Sequence, residues 1–230
     1  MNKVSILIPV FNEIKTINII LDKVTKAHFC GLEKEIILID DFSTDGTREV
    51  LQSLEDKYKV IYHEKNQGKG AALRTGFSVV TGDITVIQDA DLEYEPDDYE
   101  GVIQLILDGK ADVAYGSRFL DLSGSKTVVK ANFFGNKMLT LFTNILYGAK
   151  LTDMETCYKA FKTEFIKNIK IKSDRFDFEP EITAKVLKKK ARLGEAPITY
   201  SGRTFEEGKK ITWKDGIHAV LALIKFRFSD

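Results

Sequence analysis

The stretch Thr85-Val86-Ile87-Gln88-Asp89-Ala90-Asp91-Leu92-Glu93 constrains this chain most: an apolar run of β-type residues that stops at acids on alternate positions. In an extended backbone, side chains two apart share a face, so Asp89, Asp91 and Glu93 are expected to converge. Hard carboxylates at the carboxyl end of a parallel strand suit Mg²⁺ or Mn²⁺, above all an ion left open to a diphosphate. A buried strand running into a solvated acidic loop would show the same residues. The rest of the chain has to decide between the two.

With 230 residues, the chain is long enough for one sizeable α/β core, and a single domain is expected. Lys plus Arg is 34 and Asp plus Glu is 34, so no global field favours nucleic acid, and any basic site must be local. Cys30 and Cys157 lie far apart without CxxC or Cys/His spacing. They read as two reduced thiols in a cytosolic protein, not as a zinc site or a disulfide. The apolar start, Val4 to Phe11, is interrupted by Pro9 and followed by Asn and acid, so it reads as a strand and not as a signal peptide. No run reaches the roughly 18 apolar residues of a membrane span. Val128 to Tyr147 and Ile217 to Phe228 come nearest, and both carry Lys or Arg. The expected location is cytoplasmic, with peripheral contact on the cytoplasmic face of a membrane as the alternative to a purely soluble state.

Taken in order, Val4 to Val10 reads as a buried strand and Glu13 to Phe29 as a helix, with Ile14, Ile17, Leu21 and Val24 at helical spacing. The intervening Phe11-Asn12 has no glycine, which disfavours a dinucleotide-binding turn. A second strand, Glu35 to Ile39, ends in Asp40-Asp41; Ser43 to Thr47 then leads into a helix to about Tyr58. Adjacent acids at a strand end repel unless one meets a donor-rich ligand such as a base or ribose. Val60 to His63 is a short third strand, followed by Asn66-Gln67-Gly68-Lys69-Gly70 and a helix to about Val80. That loop lacks the full pattern of a phosphate loop. Lys69 either approaches a ligand there or is solvated beside a helix start. Ile84 to Gln88 is the fourth strand, Pro96 opens a helix to about Leu107, and Asp112 to Tyr115 is a strand ending in Gly116-Ser117-Arg118.

Repeated alternation of strand and helix argues for a mostly parallel sheet flanked by helices, and such sheets gather ligands at the strands' carboxyl ends. Glu13, Asp40, Asp41, Asp89, Asp91 and Arg118 all fall at or just past such ends. Beyond Arg118 the pattern changes. Leu120 to Thr127 is a polar loop, Val128 to Tyr147 an amphipathic helix, and Thr152 to Lys159 a polar approach to a short strand. Phe176 to Glu181 opens a helix that ends in Lys188-Lys189-Lys190, which complements the helix dipole. His28, His63 and His218 stand isolated and read as surface or packing residues. Arg203 to Lys210 is a local cationic cluster around Gly208, suited to phosphate. The final helix, Lys214 to Phe228, either packs on the domain or lies on a membrane surface, packing being the commoner outcome.

In order and spacing, Pro9-Val10-Phe11-Asn12-Glu13, Asp40-Asp41 with Asp45-Gly46-Thr47, Asn66-Gln67-Gly68-Lys69-Gly70, Asp89-Ala90-Asp91 and Gly116-Ser117-Arg118 resemble the family-two glycosyltransferases of the GT-A fold. Within that family they are most similar to the polyprenyl-phosphate (dolichyl-phosphate) mannosyl and glucosyl synthases. The resemblance runs from Val4 to about Gly216. It implies one catalytic domain with a nucleotide-binding half (1–118), an acceptor-binding half (119–212) and a C-terminal amphipathic helix (213–230). It also implies that Pro9, Phe11, Glu13, Ile39 and Asp41 hold the nucleoside, with Lys69, Ala90 and Glu93 beside the nucleotide sugar. Asp89 and Asp91, with Glu93, would hold Mg²⁺ or Mn²⁺ on the diphosphate, and Arg118, Arg203 and Lys209 would face phosphates of donor or acceptor. Two positions depart from the pattern: Glu93 stands where the synthases often carry an amide, and Phe11 where Tyr is common.

The expected reaction is transfer of a hexosyl unit, with inversion, from a GDP-mannose or UDP-glucose type of donor to a polyprenyl phosphate, which is already ionised and needs no general base. The alternative is a saccharide hydroxyl acceptor in cell-envelope or glycan synthesis, which does need a base, and Asp153 and Glu155 are the candidates. A scaffold that lost its chemistry would have eroded Asp89 and Asp91. A nucleotidyltransferase would carry a Gly-rich basic loop where Phe11-Asn12-Glu13 stands.

Overall fold

A computed structural model describes residues 1–121, 130–202 and 213–229. Alternating apolar strands and amphipathic helices give, in order, β1 (Lys3–Val10), α1 (Ile17–Lys26), β2 (Glu33–Asp40), α2 (Thr47–Gln52), β3 (Lys59–Tyr62), α3 (Lys69–Val79) and β4 (Ile84–Ile87). A short 3₁₀ turn, Pro96–Asp98, opens α4 (Tyr99–Leu107), and β5 (Val113–Ser117) follows. The chain continues through α5 (Lys130–Tyr147), β6 (Lys159–Lys162), α6 (Thr163–Lys167), α7 (Phe178–Lys188), β7 (Leu193–Pro197) and α8 (Trp213–Phe228).

The seven strands form one sheet in the order β3-β2-β1-β4-β6-β5-β7. All neighbours are parallel except β6, which runs antiparallel to both β4 and β5. Strands β1 and β4, and β2 from Ile37 onward, are almost continuously buried, as strands covered on both faces must be, while the charged first half of β2 is partly exposed. Helix α3 packs on β1 and β2, and α4 on β5, β6 and β7. The main core runs through this sheet and its helices, while a smaller cluster around Leu151, Met154 and Leu223 joins α5 and α8 to the body.

Several boundaries differ from those read in the sequence. Helix α1 starts at Ile17 and not at Glu13, because the carbonyl of Glu13 accepts the amides of Thr16 and Ile17 in a turn that leaves Glu13 at the strand end. Helix α2 stops at Gln52, short of Tyr58. Strand β7, Leu-Gly-Glu-Ala-Pro, has little β propensity of its own, and its register against β5 builds it.

The glycine-free turn after β1 is made by Asn12, whose φ of 54° lies in the left-handed region that Asn tolerates better than most residues. Phe42 (φ 68°) and Leu92 (φ 63°) adopt the same conformation beyond the ends of β2 and β4. Three non-glycine residues in this region therefore cluster along one edge of the sheet, where strain is commonly retained for function.

Candidate active site

The acids after β4 do not continue the strand. Ala90-Asp91 turns and Leu92 is left-handed, so alternation fails and the expected convergence of three acids is not formed. Glu93 instead has its amide on Asp91 Oδ1 (3.2 Å) and its Oε2 bonded by the Tyr200 hydroxyl (3.0 Å). Among the described residues no group of three His, Cys, Asp or Glu side chains is arranged to hold a metal. Mg²⁺ and Mn²⁺ on a nucleotide usually take one or two carboxylates and fill their remaining positions with phosphate oxygens and water, so Asp89 and Asp91 remain a chemically adequate donor set.

Asp89 is held by a lysine. Lys69 Nζ lies 2.9 Å from Asp89 Oδ1 and 3.0 Å from Oδ2, 3.0 Å from Glu179 Oε1 and 3.4 Å from Cys157 Sγ. Burial opposes the charge on this ammonium, but Asp89, Cys157 and Glu179 outweigh it and raise the pKa well above its ordinary value. The solvated reading of Lys69 is thus corrected: the lysine is a mostly shielded counter-ion of Asp89 and Glu179. Glu179 shares the ammonium, so Lys69 has a second carboxylate partner besides Asp89. In the sequence Glu179 reads as part of a helix start, one of two acids that alternate with aromatic residues in Phe-Asp-Phe-Glu-Pro.

The glycines around Lys69 serve packing. A Cβ on Gly68 (φ 97°) would collide with the carbonyl of Asp174, and one on Gly70 with the carbonyl of Ser173. The loop is a close backbone crossing that delivers Lys69 to Asp89, which explains its partial likeness to a phosphate loop.

The acids after β2 are occupied by the protein itself. Asp40 accepts Arg48 Nε (2.6 Å) and the Ser43 amide (3.1 Å). Asp41 accepts the amides of Gln67 (2.8 Å) and Gly68 (2.7 Å) and pairs with His63 Nδ1 (2.8 Å). The other ring nitrogen of His63, Nε2, meets the Thr75 hydroxyl (3.0 Å). The donors that the adjacent acids require are thus internal, and Asp41 ties the β2 end to the Lys69 loop.

Pro9 lies beside Ile39 in the sheet register. Ile39 is fully buried against α3, next to Leu7 and Gly76, and its backbone lies between β1 and β3, so it packs the wall behind the rim. Glu13, nearly buried, takes the Thr16 hydroxyl on Oε2 (2.8 Å), while Phe11 is half-buried at the rim and Ala90 is buried in the turn.

Beyond β5, Arg118 is buried and forks onto Asp153, Nε to Oδ2 at 2.7 Å and Nη2 to Oδ1 at 2.8 Å; its amide adds a third bond. Its guanidinium lies 5.1 Å from the centre of the Tyr200 ring. Tyr200 therefore links Arg118 to Glu93. Behind it, stacked rings of Tyr94, Tyr158 and Tyr99 form a rigid wall, with centroids 4.7 and 4.1 Å apart. Tyr158 also bonds Gln88, whose amide holds the carbonyl of Asp89. Below lies Glu155, whose Oε1 is shielded without a hydrogen-bond partner among the described residues. Burial first, and then Glu179, push its pKa up to about 7. Burial likewise lowers the pKa of the neighbouring Lys159 amine. Arg203 and Lys209 lie outside the described residues.

The sequence and the fold match known proteins. The profile of the family described as "Glycosyl transferase family 2" matches residues 5–170. The chain belongs to that family, and it is a glycosyltransferase of the GT-A fold. It is 31% identical over 215 residues to a dolichol-phosphate mannosyltransferase of Pyrococcus furiosus, covering 90% of this chain and 59% of that protein. It is 29% identical over 213 residues to a UDP-N-acetylglucosamine–dolichyl-phosphate N-acetylglucosaminyltransferase of Methanococcus voltae, covering 84% of this chain and 83% of the relative. In fold it is similar to the glucosyl-3-phosphoglycerate synthase of Mycobacterium tuberculosis in complex with Mn²⁺, UDP and phosphoglyceric acid, with a TM-score of 0.75 at 16% identity over 99% of this chain and 79% of that one.

Proposed function

We propose that this glycosyltransferase moves a hexosyl unit from a nucleotide sugar to a polyprenyl phosphate with inversion at the anomeric carbon, working at the cytoplasmic face of a membrane. The observation that carries the choice of acceptor is the Arg118–Asp153 pair. Asp153, the first candidate base for a hydroxyl acceptor, has both oxygens committed to Arg118. A phosphate acceptor is already ionised and needs positioning, not deprotonation. Names of relatives that act on dolichyl phosphate support the same choice.

In this reading the rim after β1 and β2, with Pro9, Phe11 and Glu13 backed by the buried Ile39, seats the nucleoside. Asp41 fixes its wall through the Gln67 and Gly68 amides. Asp89 and Asp91 hold the divalent ion that neutralises charge on the departing diphosphate. Lys69 keeps Asp89 oriented and remains on Glu179 when that carboxylate is engaged. Tyr200, between Glu93 and Arg118, aligns the donor side with the acceptor side. Arg118, with Arg203 and Lys209, orients the acceptor phosphate.

A second reading, transfer to a saccharide hydroxyl, is favoured by one observation. Glu155 has a pKa near neutrality, as a general base requires. Purified protein given Mn²⁺, labelled nucleotide sugar, and either a short polyprenyl phosphate or a saccharide separates the two. Label in an organic-extractable product supports the first reading. Label only in the saccharide, lost in Glu155→Gln, sinks it in favour of the second.

A further inference from the structure

Helices α5 and α8 each bury one side and leave a second apolar stripe uncovered. On α5 the exposed residues are Phe134, Met138, Leu141 and Ile145; on α8 they are Ile217, Leu221, Ile224 and Phe228. Both follow the same spacing of four, three and four residues, which is one face of a helix. The exposure is large where it matters: 67% for Phe134, 75% for Ile145 and 82% for Phe228. The opposite faces carry the packing, through Thr140 and Thr143 on α5 and Ala219, Ala222, Leu223 and Phe226 on α8. Burial of α8 on the domain therefore does not use up its apolar residues.

The helices are also joined to each other. Tyr147 donates to the carbonyl of Leu223 (2.7 Å), and Arg227 Nε to that of Leu146 (3.1 Å). At the other end of α5, Phe133 meets Phe119 edge to face with centroids 4.9 Å apart, one residue from the Arg118 that the proposed function assigns to the acceptor phosphate.

Charge identifies the occupant. The sequences of α5 and α8 contain five cations, Lys130, Lys137, Lys214, Lys225 and Arg227, and one acid, Asp215. Lys188 at the end of α7 reaches the carbonyl of Ser229, which brings the Lys188-Lys189-Lys190 run to the end of α8. Two copies stacked through such a face would set cation against cation. A bilayer with anionic headgroups meets both demands, because apolar side chains enter the acyl boundary while Lys and Arg stay among the phosphates.

We propose that α5 and α8 together form a docking surface for an anionic lipid bilayer, with their two apolar stripes turned to the membrane and the α5 start next to Arg118. The surface deepens the proposed function and rests on it only for its purpose, delivery of a membrane-held phosphate to Arg118.

Sedimentation with vesicles of phosphatidylcholine, alone or mixed with phosphatidylglycerol, tests it on the whole chain. The wild type is expected to sediment with the mixed vesicles and much less with the neutral ones. Leu221→Glu and Ile145→Glu are each expected to weaken that binding roughly tenfold or more, with circular dichroism unchanged. Leu221→Ser and Ile145→Ser serve in the same role if the glutamate variants fail to fold. A wild type that stays in solution with both vesicles overturns the proposal, as do variants that bind like wild type. So does a wild-type dimer in light scattering that Leu221→Glu dissociates. Transfer assays distinguish this failure from failure of the acceptor reading. Vesicle binding without transfer to any polyprenyl phosphate keeps the surface and sinks that acceptor, while transfer to a short soluble acceptor without vesicle binding does the reverse.

Discussion

Two strand ends in this protein carry paired acids, and the protein uses them differently. After β2, Asp40 and Asp41 are adjacent, both buried, and both satisfied by Arg48, His63 and backbone amides. After β4, Asp89 and Asp91 are separated by Ala90 in a turn, and the carboxylate of Asp89 is met by a shared lysine and not by a set of amides. Amides are fixed with the backbone, whereas a lysine on a flexible stem can follow either of two carboxylates. In the proposed function the first pair is scaffold for the rim, and the second exchanges one cation for another.

That contrast is broken most directly by alanine substitutions. Asp91→Ala is expected to reduce transfer about 100-fold or more with little change in thermal midpoint, and Asp89→Ala to do the same because Lys69 keeps Glu179. Equal loss of activity and of folding in either variant would move this pair into the scaffold class. Arg118→Met leaves the buried Asp153 without its cationic partner and should cost about 3–5 kcal/mol, read from urea unfolding; a cost within error would mean that the fork is not formed. Asp40→Ala removes the carboxylate partner of Arg48, which keeps the His63 carbonyl, and is expected to cost about 2–3 kcal/mol, with activity per folded molecule largely retained. Gly68→Ala pushes a methyl group into the Asp174 carbonyl at a positive φ, at about 2 kcal/mol, and should raise KM for the donor through the displaced Lys69.

The smallest effect concerns pH. Glu155 has a folded pKa of about 7 against an ordinary 4.5, so between those values the folded chain holds a proton that the unfolded chain has released. Stability contributed by this group is present below that window and is lost as pH rises through it. Glu155→Gln should flatten the slope between these limits and add about 1–2 kcal/mol above neutrality, after allowance for solvent screening. An unchanged profile would show that Glu155 ionises as freely as a surface acid.

Much of this was legible in the chain. Apolar runs ending in acids gave the parallel strands and placed Glu13, Asp41, Asp89 and Arg118 along one sheet edge, because strand polarity and side-chain period are local properties. The sense of β6 and the existence of β7 were not, since both depend on pairing with β5. Nor was the left-handed Leu92 that breaks the acid alternation, because nothing in a Leu advertises a positive φ. Glu179 was hidden for a different reason: its role comes from a lysine 110 positions earlier, across a glycine crossing that sequence shows only as Gly-Lys-Gly. The bidentate bond of Arg118 to Asp153 is likewise a long-range event, and it commits both oxygens of that candidate base to a guanidinium.

The most direct test of the account is Mn²⁺-dependent transfer of labelled sugar from a panel of UDP- and GDP-sugars to a short polyprenyl phosphate, run on wild type, Asp91→Ala and Asp40→Ala together. The account predicts lipid-linked product from one donor with wild type, retained per folded molecule in Asp40→Ala and lost in a fully folded Asp91→Ala. Product that persists undiminished in Asp91→Ala, or disappears equally in a folded Asp40→Ala, would contradict it.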